Sequence, residues 1–180
     1  MKLTRTRIAD VAVVEPEVFG DERGFFMESY HRKKFEAIGL AREFVQDNHS
    51  RSARNVLRGL HYQLGQPQGK LVRVVSGSIW DVAVDLRHSS PTFGQWIAEE
   101  LSERNKRMLW IPEGFAHGFL VTSASADVLY KTTEFYAAER ERSLLWNDPQ
   151  LAIAWPLSGE PLLSRKDRAG LPLGEAELFE

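Results

Sequence analysis

Apolar and polar residues alternate in short runs along most of the chain, and turn residues break the runs. Residues 71–87 read LVRVVSGSIWDVAVDLR, two valine-rich runs meeting at Ser76-Gly77-Ser78, a pattern that predicts a β-hairpin. In the second run Trp80, Val82, Val84 and Leu86 share one face by two-residue alternation. SSPTFGQW (89–96) is a turn cluster, after which WIAEELS alternates again. Residues 107–123 supply further strands, with Pro112 and Gly114 marking a turn between Ile111 and Phe119. ADVLYKTTEFY, read as a strand, puts Tyr130, Thr132, Glu134 and Tyr136 on one face.

Two stretches have helical spacing. Residues 29–40 offer Ser29 as N-cap, Phe35 and Ile38 as an apolar stripe, and Gly39 as a stop. Residues 163–171 place Ser164 and Asp167 at capping-box spacing. No repeat, linker or low-complexity segment interrupts residues 1–180, so one domain is expected. Many short strands with few helices predict an all-β sandwich or jelly-roll barrel.

Composition narrows the function. A net charge of -2 without a long basic run argues against nucleic acid as the main partner. The absence of cysteine excludes disulfides, thiolate nucleophiles and cysteine-ligated metals. The N-terminal MKLTRTRIADVAVVEP lacks the apolar core of a secretion signal, and no apolar run is long enough for a membrane helix. A cytoplasmic protein with no membrane partner is the expectation.

The chemistry concentrates around RGLHYQ (58–63) and Lys70. His61 fits three roles: metal ligand, proton-transfer base, or a histidine that merely occupies a strand. WIPEGFAH (110–117) resembles the second cupin motif, but where the first would supply His-x-His the chain reads His61-Tyr62-Gln63. His61 and His117 are too few for a transition-metal site, so a cupin-like barrel without metal is expected. As a base, a neutral His61 would accept a proton at physiological pH, with Arg58 and Lys70 stabilising the charge that develops. In a regular strand residues 58 and 61 face opposite ways; a bulge at Gly59 would bring them together. Tyr130 and Tyr136 are protonated at neutral pH and can donate, or they can simply fill the barrel. Arg23 beside Phe25 and Phe26, and Gln46, Asn48, Arg51 and Arg54 in VQDNHSRSARN, suit an anionic ligand with an aromatic-stacking base, or form solvated loops.

Taken together, DERGFF (21–26), VQDN (45–48), LRGLHYQ (57–63), DVAVDLR (81–87), SSPTFGQW (89–96), WIPEGFAHGF (110–119) and WNDP (146–149) resemble the dTDP-4-dehydrorhamnose 3,5-epimerase family over nearly the whole chain. The resemblance implies a homodimeric cupin-like jelly roll, free of metal and cofactor. It would invert C3 and C5 of dTDP-4-dehydro-6-deoxy-D-glucose. It further implies His61 as proton acceptor, Tyr130 as proton donor and Asp167 as the residue that orients His61, with Lys70 and Arg58 near the C4 oxygen. Arg23, Glu28, Gln46, Asp47, Asn48, His117, Tyr136, Glu141 and Lys166 would contact the dTDP-sugar. The stretch YAAERE (136–141) departs from the family pattern, with Ala138 where proline is common, and leaves Tyr136 and Glu141 in place. Rival readings are a 3- or 5-mono-epimerase or a ketoisomerase of another deoxysugar, a non-catalytic sugar-nucleotide-binding cupin, and a metal-dependent cupin oxygenase.

Overall fold

The structure, a computed structural model, describes residues 1–180. Strands β1 (Lys2–Arg5), β2 (Ala12–Glu15), β3 (Val18–Asp21) and β4 (Gly24–Met27) precede the short helix α1 (Arg32–Ala37). Nine strands follow: β5 (Gln46–Ala53), β6 (Leu57–Gln63), β7 (Lys70–Ser76), β8 (Ser78–Asp85), β9 (Trp96–Ser102), β10 (Met108–Ile111), β11 (Phe115–Val121), β12 (Ser125–Thr132) and β13 (Glu141–Ser143). The one-turn helix α2 (Arg165–Arg168) lies near the end of the chain. Two antiparallel sheets, ordered β1-β2-β10-β7-β12-β5 and β13-β6-β11-β8-β9, make a cupin-like jelly roll, and β3 and β4 form a separate two-stranded hairpin.

The predicted strands are present, but their pairing differs from the sequence expectation. β7 and β8 are not hairpin partners: β7 lies between β10 and β12, and β8 between β11 and β9 in the other sheet. The physical reason is burial on both sides. Ile79 and Ala83 of β8 face the core between the sheets, while Val82 and Val84 face a second apolar cluster on the opposite side. The turn at Gly77 is therefore a corner between sheets. Its φ is +76°, and a Cβ there would lie 2.0 Å from the Ser125 carbonyl oxygen, so the corner requires glycine. Ile111 and Phe115 bound a similar crossing, which is shorter than the turn to Phe119 that the sequence suggested.

Val72, Val74, Leu109, Ile111 and Val128 from one sheet meet Ile79, Ala83, Ile97, Phe115 and Phe119 from the other. The outer face of the six-stranded sheet is covered by α1 and the residues just after it, through Phe35 of the helix and Leu40 beyond it, packed with Val14, Leu71 and Trp110. This helix is shorter than predicted: its N-cap is His31, not Ser29, with no side-chain capping bond, while Gly39 follows the last turn at φ +86° as expected. The C-terminal segment covers the other sheet with Leu151, Ile153 and Leu173. At one end of the sandwich the apolar filling stops at Tyr130, whose ring packs against it, and a polar cleft opens between the sheets.

Candidate active site

β6 carries a bulge at the position the sequence marked. Its register with β11 pairs His61 with His117 and Arg58 with Phe119, so two residues on β6, Gly59 and Leu60, stand against Gly118 alone on β11. Gly59 takes φ +118°, and a Cβ there would sit 2.5 Å from Gly118 Cα. Arg58 and His61 both line the cleft as a result.

His61 and Asp167 lie 2.6 Å apart, Nε2 to Oδ1. Burial opposes ionisation of Asp167, but hydrogen bonds from His61, Ser164 and the Gly59 N–H outweigh it and hold the carboxyl at about 2. An ionised carboxylate only accepts, so Nε2 carries the proton and Nδ1 keeps its lone pair. Burial pushes the His61 pKa below its ordinary 6.5, against the opposing pull of Asp167. The imidazole is neutral at pH 7 and has the form of a base. Asp167 is also the capping-box residue of α2, accepting from the Ser164 hydroxyl and backbone N–H through Oδ2. The two roles assigned to it on sequence grounds are therefore compatible, one oxygen serving the helix and the other the histidine.

Across the cleft, β7 and β12 present Lys70 and Tyr130. The Lys70 ammonium donates to the His61 carbonyl at 3.3 Å, and burial lowers its pKa to about 8. Burial raises the Tyr130 phenol above 10, so it is a protonated donor. Arg58 Nε donates to Ser52 Oγ at 2.9 Å, joining the sheets at the cleft floor. His117 donates from Nε2 to Asp81 at 2.7 Å, so the two cross-strand histidines each have a ring nitrogen committed to a carboxylate. No three histidine, aspartate or glutamate side chains converge as a metal would need. Toward the mouth the Tyr136 hydroxyl donates to Glu141 at 2.9 Å, and Lys166 pairs with the other Glu141 oxygen at 2.8 Å. Gln46 and Asn48 line the wall beside Tyr130. The cleft volume of ≈ 650 Å³ suits a small-molecule ligand.

Several expected residues lie elsewhere. Asp47 points away from Gln46 and Asn48, as strand alternation dictates, and pairs with Lys131 at 2.9 Å on the outer face. Arg23 pairs with Asp21 and Glu28 with Lys34, both on exposed surface outside the cleft. Arg51 binds Asp127, and Arg54 donates to the Thr122 carbonyl. Tyr130 and Tyr136 do share the cleft, but not through strand parity: β12 ends at Thr132, whose hydroxyl caps the Glu134 carbonyl in a turn. Ser50, Gln68 and Phe119 line the cleft without having been singled out. Ser50 was legible from its alternation with Gln46 and Asn48, whereas Gln68 and Phe119 carried no local signal.

The family model described as dTDP-4-dehydrorhamnose 3,5-epimerase matches residues 5–175. The dTDP-4-dehydrorhamnose 3,5-epimerase of Pseudomonas aeruginosa is 62% identical over 180 residues, covering 99% of each chain. A dTDP-4-dehydrorhamnose 3-epimerase from Streptomyces niveus is 40% identical, over 98% of this chain and 86% of its own. Among solved structures, the dTDP-6-deoxy-D-glucose-3,5-epimerase of Legionella pneumophila in complex with dTDP-4-keto-L-rhamnose superposes with a TM-score of 0.95. It is 53% identical and covers 98% of this chain and 94% of its own.

Proposed function

This chain belongs to the dTDP-4-dehydrorhamnose 3,5-epimerase family, and from that premise we propose how its cleft carries out the reaction. The enzyme converts dTDP-4-dehydro-6-deoxy-D-glucose into dTDP-4-dehydro-L-rhamnose by inverting C3 and C5. Substrate and product are isomers that differ only in configuration, so proton transfer suffices.

The C4 ketone acidifies the hydrogens on both neighbouring carbons. His61 takes the proton, and the electrons move onto the C4 oxygen to give an enolate. Asp167 stabilises the resulting imidazolium. The Lys70 ammonium and the Arg58 guanidinium stabilise the oxyanion, an effect of about 3 kcal/mol for a well-aimed donor. Tyr130 then gives its phenolic proton to the same carbon from the other face. His61 returns its proton to solvent and the phenolate recovers one, which resets the pair for the second carbon. The observation that carries this assignment is that His61 and Tyr130 enter one cleft from opposite sheets.

Arg23 and Glu28 remain substrate contacts in this scheme if a second copy supplies them. Their hairpin presents Phe25 and Phe26 to solvent, 61% and 66% exposed, as a segment suited to reach into a partner's cleft. A homodimer of single-domain chains follows, with Gln46, Asn48, His117, Tyr136, Glu141 and Lys166 supplied by the cleft's own chain. Asp47 would contact the ligand only by turning away from Lys131. A cytoplasmic location completes the assignment; no helix is long and apolar enough to cross a membrane.

Incubation with dTDP-4-dehydro-6-deoxy-D-glucose in D2O, followed by NMR, tests the function. Deuterium is expected at both C3 and C5. Label at one carbon alone would make the chain a mono-epimerase, and no label would leave a binding module.

The pH dependence follows from two groups. The base must be neutral, so kcat/KM falls on the acid side through a pKa below 6.5. The lysine must be protonated, so kcat/KM falls again above about 8. Stability responds to Lys70 in the opposite sense. Between about 8 and its ordinary 10.5 the unfolded chain binds more protons than the folded one, so this group adds stability as pH rises while activity declines. Initial rates and thermal unfolding across pH 5–10 check both trends.

A further inference from the structure

The segment that follows β12 bears Tyr136 yet pairs with no strand. Its backbone is held by glutamine side chains. Gln68 Nε2 donates to the Glu134 carbonyl at 2.8 Å, and the Tyr136 N–H donates to Gln46 Oε1 at 3.0 Å. Gln63 does the most: its Nε2 donates to the Gln66 and Phe135 carbonyls at 2.8 and 3.2 Å, and its Oε1 accepts from the Ala137 N–H at 2.9 Å. Peptide groups on both sides of Tyr136 are thus fixed by one amide that is 3% exposed and lies outside the cleft lining.

The strand register adds a second connection. Gln63 is the cross-strand partner of Glu141, which accepts the Tyr136 hydroxyl. Tyr136 is therefore anchored at its backbone by β6 and at its ring tip by β13. His61 lies two residues before Gln63 on the same strand, opposite Ser143. One pair of strands sets both the base and the tyrosine at the mouth. Burying a side-chain amide is costly unless it is hydrogen-bonded, and Gln63 meets that requirement entirely through its Gln66 contact and this segment.

We infer that Gln63 is a positioning residue that fixes Tyr136 for binding of the dTDP-sugar, and that it acts on substrate affinity rather than on proton transfer. This rests on the assignment of Tyr136 to the substrate. Losing an interaction made equally in ground and transition states raises KM and leaves kcat unchanged.

Gln63→Met keeps the side-chain volume and removes all three hydrogen bonds. Steady-state kinetics with dTDP-4-dehydro-6-deoxy-D-glucose should show KM raised about tenfold and kcat within about twofold of the parent. Tyr136→Ala should raise KM at least as far, and Gln63→Met combined with Tyr136→Ala should be no worse than Tyr136→Ala alone, because both act through one side chain. Gln63→Asn keeps the amide's donors and acceptor but draws them back by one methylene, should show the same split at smaller amplitude, and carries the test if Gln63→Met does not fold. A fall in kcat at unchanged KM, or KM effects that multiply in the double variant, overturns the inference. A normal KM in Tyr136→Ala overturns it too, by removing Tyr136 from the substrate, and leaves the roles of His61 and Tyr130 standing.

Discussion

His61→Ala should abolish the exchange of solvent deuterium into both C3 and C5. The imidazole is neutral at pH 7, keeps a ring lone pair free of protein partners, and has a carboxylate behind it to take up the positive charge. The alternatives are placed less well. His117 has its own carboxylate but shares β11 with Phe119 and lies deeper, 7% exposed. Lys70, at about 8, is largely protonated at neutral pH. General-base catalysis is worth about 10²–10⁴-fold, and since both half-reactions use the same base, kcat should fall by at least the upper part of that range. NMR of the sugar ring in D2O reads the result. Exchange retained at either carbon would mean that a second base serves it.

Tyr130→Phe should separate exchange from inversion. The ring packs against the inter-sheet core and its hydroxyl has no protein partner, so phenylalanine preserves the packing and removes only the acid. His61 still forms the enolate, but the nearest proton is then the one on its own imidazolium, on the face it came from. That proton equilibrates with D2O, so the expected outcome is deuterium in recovered, uninverted substrate. Inverted product should form about 10²-fold or more slowly. Normal turnover in this variant would assign the second proton to another group.

The sequence made the strands legible because alternation reports which residues share a face. It did not report partners. The two valine-rich runs around Gly77 looked like a hairpin, and only burial on both sides shows that they belong to different sheets. In the site, the parity conflict between Arg58 and His61 pointed to the bulge at Gly59, and the structure has it there. The capping-box spacing placed Asp167 correctly, but its reach to His61 depends on α2 docking beneath β6, a contact 106 residues away in the chain. Asp47 and Glu28 came from motif resemblance, and Arg23 from its aromatic turn as well; neither kind of signal carries information about which face or which copy presents a side chain. Gln63 stood in the LRGLHYQ motif without a role, because its partners lie on a segment that has no regular structure of its own.

The central claim is geometric: the imidazole of His61 and the phenol of Tyr130 address opposite faces of one ketosugar. A crystal structure of the enzyme with a dTDP-sugar bound measures this directly. The two rings should flank the pyranose, His61 near the hydrogens of C3 or C5 and Tyr130 within proton-transfer distance on the other side, with Lys70 at the C4 oxygen. Both rings on the same side of the sugar, or either one out of reach of it, would contradict the account.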